Sequence, residues 1–376
     1  MGKLKQELEK VMENLASPNI AVIGRTGAGK STLINAVFGG ELAKTGTGLP
    51  VSDAFIRYPK DDRKVPVVIY DSAGYEMTKE EKFKNDVFEF FDQKKSDPID
   101  KQIHLVWYVI HAGLKRFEYF DAQIIQELKQ RGLPLIVILS QTDLARAVEI
   151  YEIEKAIKNY QSEYKLDKLA ILQVSANPII GEPFGVKELV DKTVDLLPEL
   201  YTEALIIQQK ANLKLKRQTA INYLKVAAGS CFAAGFVPIP FVTPAAAIGS
   251  QTVLCTKIAA LYGYAEWVEI IDEVGGLTIS SILTYIATGV ADLIAAMTTA
   301  FGGSVILGGV SGGIAASYIV ALGLTYTSVF EKLTEQDLSG SGMHELEELI
   351  KKTFRQEFQK YASIKILSPG DLDNLQ

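Results

Sequence analysis

The sequence predicts an α/β fold, a doubly wound and mainly parallel sheet, followed by an all-α helical region. Three observations carry this. From Asn19 to about Leu197, short apolar runs alternate with longer amphipathic ones, the pattern of strands joined by crossover helices that cover both faces of a sheet. A glycine-rich stretch, residues 24–31, joins the first apolar run to the first amphipathic one. After Pro198 the strand signals stop, and between Val226 and Phe330 only Lys257, Glu266, Glu269, Asp272, Glu273 and Asp292 carry charge.

In chain order, Leu4, Leu8, Val11, Met12 and Leu15 lie at helical spacing among Lys and Glu and stop at Ser17-Pro18, so residues 1–18 read as an amphipathic helix. Residues 19–197 form the first domain. Its expected strands are Ile20–Ile23, Ser52–Tyr58, Val65–Asp71, Ile103–Ile110, Pro134–Ser140 and Leu169–Ser175. Its expected helices are Lys30–Phe38, Lys79–Lys94, Asp121–Arg131, Ala147–Tyr164 and Val186–Leu196. Residues 198–376 form the second domain. It opens with one long helix from Glu199 to about Val226 bearing Lys210, Lys214, Lys216, Arg217 and Lys225, and closes with an amphipathic helix, roughly Met343–Tyr361, and a frayed tail.

Gly24-Arg25-Thr26-Gly27-Ala28-Gly29-Lys30-Ser31 fills G-x-x-x-x-G-K-[ST] between a strand and a helix, the setting this P-loop motif requires. Glycines let backbone N–H groups turn round a phosphate chain, and the helix N-terminus adds favourable partial charge. Lys30 is placed to reach β- and γ-phosphates and Ser31 to ligate Mg²⁺, with Thr32 completing the nucleotide-contacting set. Asp71-Ser72-Ala73-Gly74 ends the third strand as D-x-x-G, where Asp71 holds Mg²⁺ through water and the Gly74 N–H meets a γ-phosphate. Ser140-Gln141-Thr142-Asp143 stands where guanine-specific proteins carry [NT]-[KQ]-x-D. There Asp143 accepts two hydrogen bonds from guanine and Gln141 lies over the base. Adenine leaves that carboxylate unpaired, which discriminates strongly. Ser175 and Ala176, after the last strand, fit a final base-contacting loop.

These motifs, in this order over residues 19–197, resemble the translation-factor-like (TRAFAC) class of GTPases, particularly the Era-like and immunity-related branches. The stretches 46–52 and Arg116-Phe117 to Asp121 look like bacterial members with an Ala/Gly-rich helical C-terminal domain, and so do Phe236-Val237-Pro238-Ile239-Pro240 and Ala259-Ala260-Leu261-Tyr262-Gly263. The resemblance implies Mg²⁺-dependent hydrolysis of GTP to GDP and phosphate as a conformational switch, with Lys30, Ser52 and Gly74 as catalytic groups. It also implies a switch ligand to Mg²⁺ between the first helix and second strand. Ser52 takes that position by the Pro-Val-x spacing, and Thr47 competes for it. Where some relatives place a water-orienting glutamine, this chain has Tyr75, so intrinsic hydrolysis is expected to be slow unless a dimer or another partner supplies a group. Gly27 replaces an asparagine that recruits potassium in some Era-like proteins. Arg25 reads most simply as a solvated loop residue.

The uncharged segments Val274–Ala291 and Leu293–Phe330 leave room for a membrane hairpin, since a crossing helix needs about 20 apolar residues. Gly308, Gly309, Gly312 and Gly313 give two overlapping G-x-x-x-G patterns suited to close helix contact in lipid. The competing reading is a buried hairpin at the centre of a bundle. Peripheral or hairpin-inserted membrane association of a cytoplasmic protein is the expectation, with remodelling of the dynamin-like or immunity-related kind as one role. The basic helix after Glu199 is expected either to rest on anionic headgroups or to form a solvated face. Alternatives are a nucleotide-dependent regulator of a membrane transporter or channel, and a soluble GTP-controlled interaction protein. Expected partners are guanine nucleotide, a second copy through the first domain, and membrane lipid or a membrane protein. A net charge of −6 gives no support to a nucleic-acid partner. Two cysteines, Cys231 and Cys255, and three histidines argue against a disulfide framework or a histidine metal site.

Overall fold

The computed structural model describes residues 10–40, 49–50, 55–59, 66–74, 80–235, 253–264, 304–335, 343–361 and 368–375. Two compact units emerge, divided between Asn212 and Leu213. The described residues 10–14, which are helical, group with the second unit.

The first unit is built on a seven-stranded sheet. Strand β1 is Asn19–Gly24, β2 the two-residue Leu49–Pro50, β3 Phe55–Tyr58, β4 Val68–Ser72, β5 Leu105–His111, β6 Leu135–Ser140 and β7 Ala170–Gln173. Their spatial order is β2-β3-β4-β1-β5-β6-β7. The five strands β4, β1, β5, β6 and β7 are parallel, and β2 and β3 extend them antiparallel at one edge. The central strands are buried on both faces, which is why Ile20–Ile23 and Leu105–Ile110 read as unbroken apolar runs rather than alternations.

Helices α1 (Lys30–Phe38), α2 (Glu80–Lys95), α3 (Tyr119–Gln130), α4 (Ala147–Glu163), α5 (Val186–Leu196) and α6 (Glu199–Gln208) accompany the strands. On one face Phe90 of α2 stacks on Phe55 with ring centroids 4.2 Å apart. Elsewhere in the unit the buried Trp107 donates Nε1–H to Thr193 Oγ1 at 3.1 Å and stacks near Phe38. Such partners are what make a buried indole tolerable. Consecutive connections leave β1 toward β4 on one side and β5 on the other. The strand order therefore reverses at β1, and the crevice for a ligand opens beyond its carboxyl end.

The long helix expected from Glu199 is two helices. After α6 the side chain of Gln209, fully buried, accepts from Asn212 N at 2.7 Å and donates to Asn212 O at 3.1 Å. That reciprocal pair turns the backbone without any Gly or Pro. Asn212 Nδ2 then donates to Asp191 Oδ1 at 2.8 Å, fixing the turn to α5.

The second unit contains α7 (Leu213–Gly235), a helix over 253–262 (α8), α9 (Ser304–Glu335) and α10 (Met343–Tyr361), with a 3₁₀ turn at Pro369–Asn374. From Ile319 to Phe330, α9 is buried on every side by protein, the environment in which an all-round apolar helix belongs in a bundle. Gly323 lets α7 approach so closely that an added Cβ would lie 2.0 Å from Leu224 Cδ2. Two of the basic residues of α7 pack against neighbouring helices of this unit. Lys216 is 3% exposed and its ammonium donates to Leu261 O at the end of α8 at 2.5 Å, while Arg217 Nη1 pairs with Glu331 at 2.7 Å. The buried Glu357 of α10 takes Lys332 at 2.5 Å and Lys360 at 2.7 Å. The tail from 368 to 375 is capped rather than frayed, with Ser368 N donating to Asp371 Oδ2 at 2.6 Å. Among the described residues no helix is long and apolar enough to cross a membrane. The first hairpin segment, Val274–Ala291, and Phe236–Pro240 lie outside the described residues.

Candidate functional site

The phosphate loop is shaped by two left-handed glycines and one crowded one. Gly27 has φ 78° and Gly29 φ 82°, values that a side chain resists, and Gly29 leads directly into α1. Gly24 is constrained differently. An added Cβ would sit 2.3 Å from Val109 O, so the absence of a side chain lets β1 and β5 close up where the loop begins.

Lys30 is 7% exposed. Its ammonium donates to Gly24 O at 3.1 Å and Arg25 O at 3.0 Å, folding the side chain back over its own loop. Burial lowers its pKa, and nearby Asp71 opposes that shift. Ser31 Oγ donates to Asp71 Oδ2 at 3.1 Å, joining the start of α1 to the end of β4. The other carboxylate oxygen, Asp71 Oδ1, is buried with no hydrogen-bond partner. Burial pushes the Asp71 carboxyl up to about 6, against the pull of Lys30 and Ser31. A serine hydroxyl and a half-satisfied carboxylate are oxygen donors of the kind a hard divalent cation takes alongside substrate phosphates and water. Gly74, at φ 79°, lies against the same loop: an added Cβ would be 2.8 Å from Thr26 Oγ1 and 3.0 Å from Lys30 Nζ.

The end of β6 brings the residues expected to read a base to the other side of the loop. Ser140 Oγ donates to Ala28 O at 2.7 Å and also lies 3.2 Å from Ile110 O, tying β6 to the phosphate loop. Gln141 adopts a left-handed conformation, φ 52°, and its amide donates to Gly27 O at 3.1 Å. Asp143 Oδ1 accepts from Ser175 Oγ at 2.5 Å and Oδ2 from Ile179 N at 3.2 Å. These donors hold the Asp143 carboxyl below its usual range, the Ser175 hydrogen bond leading. A cavity of about 430 Å³ runs between the two sides, lined by Gly27, Gly29, Lys30, Ser31, Thr32, Ser140, Gln141 and Ala176 together with Leu33, Val174 and Asn177.

The structure therefore gathers residues 24–32, Asp71, Gly74, Gln141, Asp143, Ser175 and Ala176 at the carboxyl ends of β1, β4, β6 and β7. Ser52, Thr47 and Tyr75 lie outside the described residues. Arg25 is not a solvated residue. Its side chain is 14% exposed and pairs with Glu118 and, at 3.4 Å, with Glu80. Sequence reading missed Asn177, Leu33 and the Ile179 amide. The amide is a backbone group that no side-chain pattern can announce.

Residues 19–141 match the family model described as 50S ribosome-binding GTPase. GTPase Era of Caldanaerobacter subterraneus subsp. tengcongensis is 27% identical over 180 residues, which cover 48% of this chain and 55% of that protein. The probable GTP-binding protein EngB of Aquifex aeolicus is 26% identical over 181 residues, 47% of this chain and 90% of EngB. The chain thus spans about half the length of the Era relatives it matches. A solved structure of Era in complex with MgGDPNP and a 16S ribosomal RNA fragment shares 20% identity over 49% of this chain and 58% of that one, at a TM-score of 0.34. Motifs in order, a phosphate loop at the switch point of the sheet and the match over 19–141 agree: residues 19–141 carry a P-loop GTPase domain similar to the Era-like GTPases of the TRAFAC class, and a helical C-terminal region follows.

Proposed function

We propose that the chain binds guanine nucleotide in this cavity and hydrolyses GTP to GDP and phosphate, working as a switch whose state is read by the helical unit. The single observation that carries the reading is a cavity lined by the phosphate loop on one side and by Ser140, Gln141 and Ala176 on the other, with Asp71 hydrogen-bonded to the lining residue Ser31 and its Oδ1 buried without a partner. In this reading backbone N–H groups of residues 25–31 cradle the phosphates. Lys30 Nζ exchanges the Gly24 and Arg25 carbonyls for phosphate oxygens, a move its short reach across the loop makes easy. Ser31 and Asp71 would hold Mg²⁺, which would supply charge neutralisation for the phosphates. Ser52, or Thr47, would complete that set, and the Gly74 N–H would meet the γ-phosphate. Asp143, already oriented by Ser175 and Ile179 N, reads guanine while Gln141 lies over the base. With Tyr75 after Gly74, the missing water-orienting group is supplied by a second copy of this domain.

For the helical unit we propose a protein-packed effector rather than an inserted hairpin, supported by the all-round burial of α9 and the inward turn of Lys216 and Arg217. Membrane contact is the second reading, favoured by the 38 uncharged positions from Leu293 to Phe330. We do not propose a nucleic-acid partner, given the net charge of −6. Phosphate release from GTP, with ATP as competitor, tests the function: release from GTP that needs Mg²⁺ and ignores excess ATP supports it, and no release at any protein concentration overturns it. Sedimentation with anionic liposomes separates the two readings of the helical unit.

A further inference from the structure

We propose that His111 is a positioning residue for base recognition, its ring steadying the turn that carries Asp143; this rests on the guanine-nucleotide reading above. His111 closes β5 and stands opposite Ser140 in the parallel register with β6, beside the point from which residues 141–143 depart. Its half-buried ring accepts from Gly113 N at Nδ1, at 3.0 Å, which caps the 3₁₀ turn Ala112–Leu114. With Nδ1 an acceptor, the proton of the neutral imidazole sits on Nε2. Gly113 lies between this ring and a second 3₁₀ turn, Thr142–Leu144: an added Cβ would meet His111 Cε1 at 2.7 Å and Leu144 Cβ at 3.2 Å. Ring, glycine and Leu144 are therefore packed in series. Burial lowers the His111 pKa and the Asp143 carboxylate opposes that shift, so ring and carboxylate share one electrostatic neighbourhood.

The turn that carries Asp143 needs such support. It opens on Gln141 in the left-handed region, φ 52°, and closes with Leu144 N donating to Gln141 O at 3.0 Å. A non-glycine residue held there is strained and persists where its surroundings over-determine it. Ser175 Oγ and Ile179 N hold the Asp143 carboxylate from beyond β7, and the 112–114 turn backs the same segment from the β5 side. Guanine offers two donors, N1–H and the 2-amino group, to the two carboxylate oxygens, a paired fit that a tilt of the carboxylate breaks. Hypoxanthine offers N1–H alone and can follow a tilted carboxylate. Loosening the turn therefore costs the preference for guanine over hypoxanthine, and not simply nucleotide binding as a whole.

Titrations of the full-length protein with GDP and with IDP, its hypoxanthine analogue, test this through the ratio of the two affinities. Wild type is expected to favour GDP by about 10- to 100-fold, the range for one hydrogen bond to a charged group. His111→Ala is expected to cut that ratio by about fivefold, the effect of one ordinary hydrogen bond. His111→Asn is expected to restore most of it, because an asparagine Oδ1 can accept from the N–H two residues on. Gly113→Ala keeps the ring but wedges it from Leu144, and is expected to cut the ratio likewise. It carries the same expectation should His111→Ala fail to fold. A ratio unchanged in both alanine variants, equal weakening of GDP and IDP as general loosening of the fold would give, or no rescue by asparagine overturns the proposal. Wild-type protein that does not prefer GDP to IDP and ADP overturns the guanine reading and this inference together, whereas a selective wild type with unaltered variants overturns the inference alone.

Discussion

Replacing Gly24 with alanine tests how the phosphate loop is seated on the sheet. The added Cβ would stand 2.3 Å from Val109 O, with Val109 C at 3.2 Å and Val109 Cβ at 3.3 Å. The first distance is about 0.7 Å inside the 3.0 Å limit that real Cβ contacts respect, and its partner is backbone in the strand paired with β1. No side chain can swing away, so β1 and β5 have to separate at their carboxyl ends. Overpacking of this kind costs about 1–3 kcal/mol, and backbone on both sides puts Gly24→Ala at the upper end, about 3 kcal/mol. For a unit of this size that lowers the melting temperature by roughly 6–12 °C. Gly27→Ala is the control: nothing lies within 4 Å of its Cβ position, so only the left-handed φ of 78° opposes it, at about 1–2 kcal/mol. Urea unfolding of both variants gives the comparison. Gly24→Ala that unfolds with the wild-type midpoint, or later than Gly27→Ala, would refute the close approach of β1 and β5 as the reason for glycine there.

Lys30→Ala is expected to lose tight triphosphate binding and keep a cooperative unfolding transition, because its ammonium meets two loop carbonyls rather than core; titration with a fluorescent GTP analogue checks it. The Asp71 carboxyl gives a pH dependence whose sign is set by its raised value. Between about 4 and 6 the folded state holds a proton that the unfolded state has released, so without metal or nucleotide this group's share of stability falls as pH rises through that window, by roughly 2–3 kcal/mol. Asp71→Asn removes the slope, and in EDTA its stability relative to wild type is expected to grow from pH 4 to pH 7; a constant difference would mean that burial does not raise this carboxyl. If a second copy supplies the missing catalytic group, turnover per molecule rises with protein concentration, and a rate that is flat from nanomolar to high micromolar sinks that part of the reading.

Much of this site was legible because its chemistry is local. Gly24 to Ser31 and Asp71 to Gly74 each hold their residues within one turn of chain, and the strands that deliver them, Ile20–Ile23 and Val68–Asp71, are buried enough to read as apolar runs. Asp143 was legible by its place after β6. What the sequence hid are contacts between distant residues. Arg25 looked solvated because Glu80 and Glu118 lie far along the chain. Lys216 looked like part of a basic face, although its ammonium ends on the carbonyl of Leu261. The turn at 209–212 has no Gly or Pro to announce it, since a buried glutamine amide does the turning. The apolar second half was ambiguous for a different reason: burial by protein and burial by lipid ask for the same side chains, and only the neighbours of α9 distinguish them.

The most direct test of the account is base selection by Asp143→Asn. The wild-type carboxylate, held by Ser175 and the Ile179 amide, presents acceptors suited to the N1–H and 2-amino group of guanine, whereas an asparagine amide presents a donor suited to the 2-oxo group of xanthine. Competition titrations with GDP, XDP and ADP on both proteins are predicted to give GDP far ahead for wild type and XDP ahead of GDP for the variant, with ADP excluded from both. A variant that keeps its preference for GDP, or a wild-type protein that takes ADP as readily as GDP, would contradict the central claim.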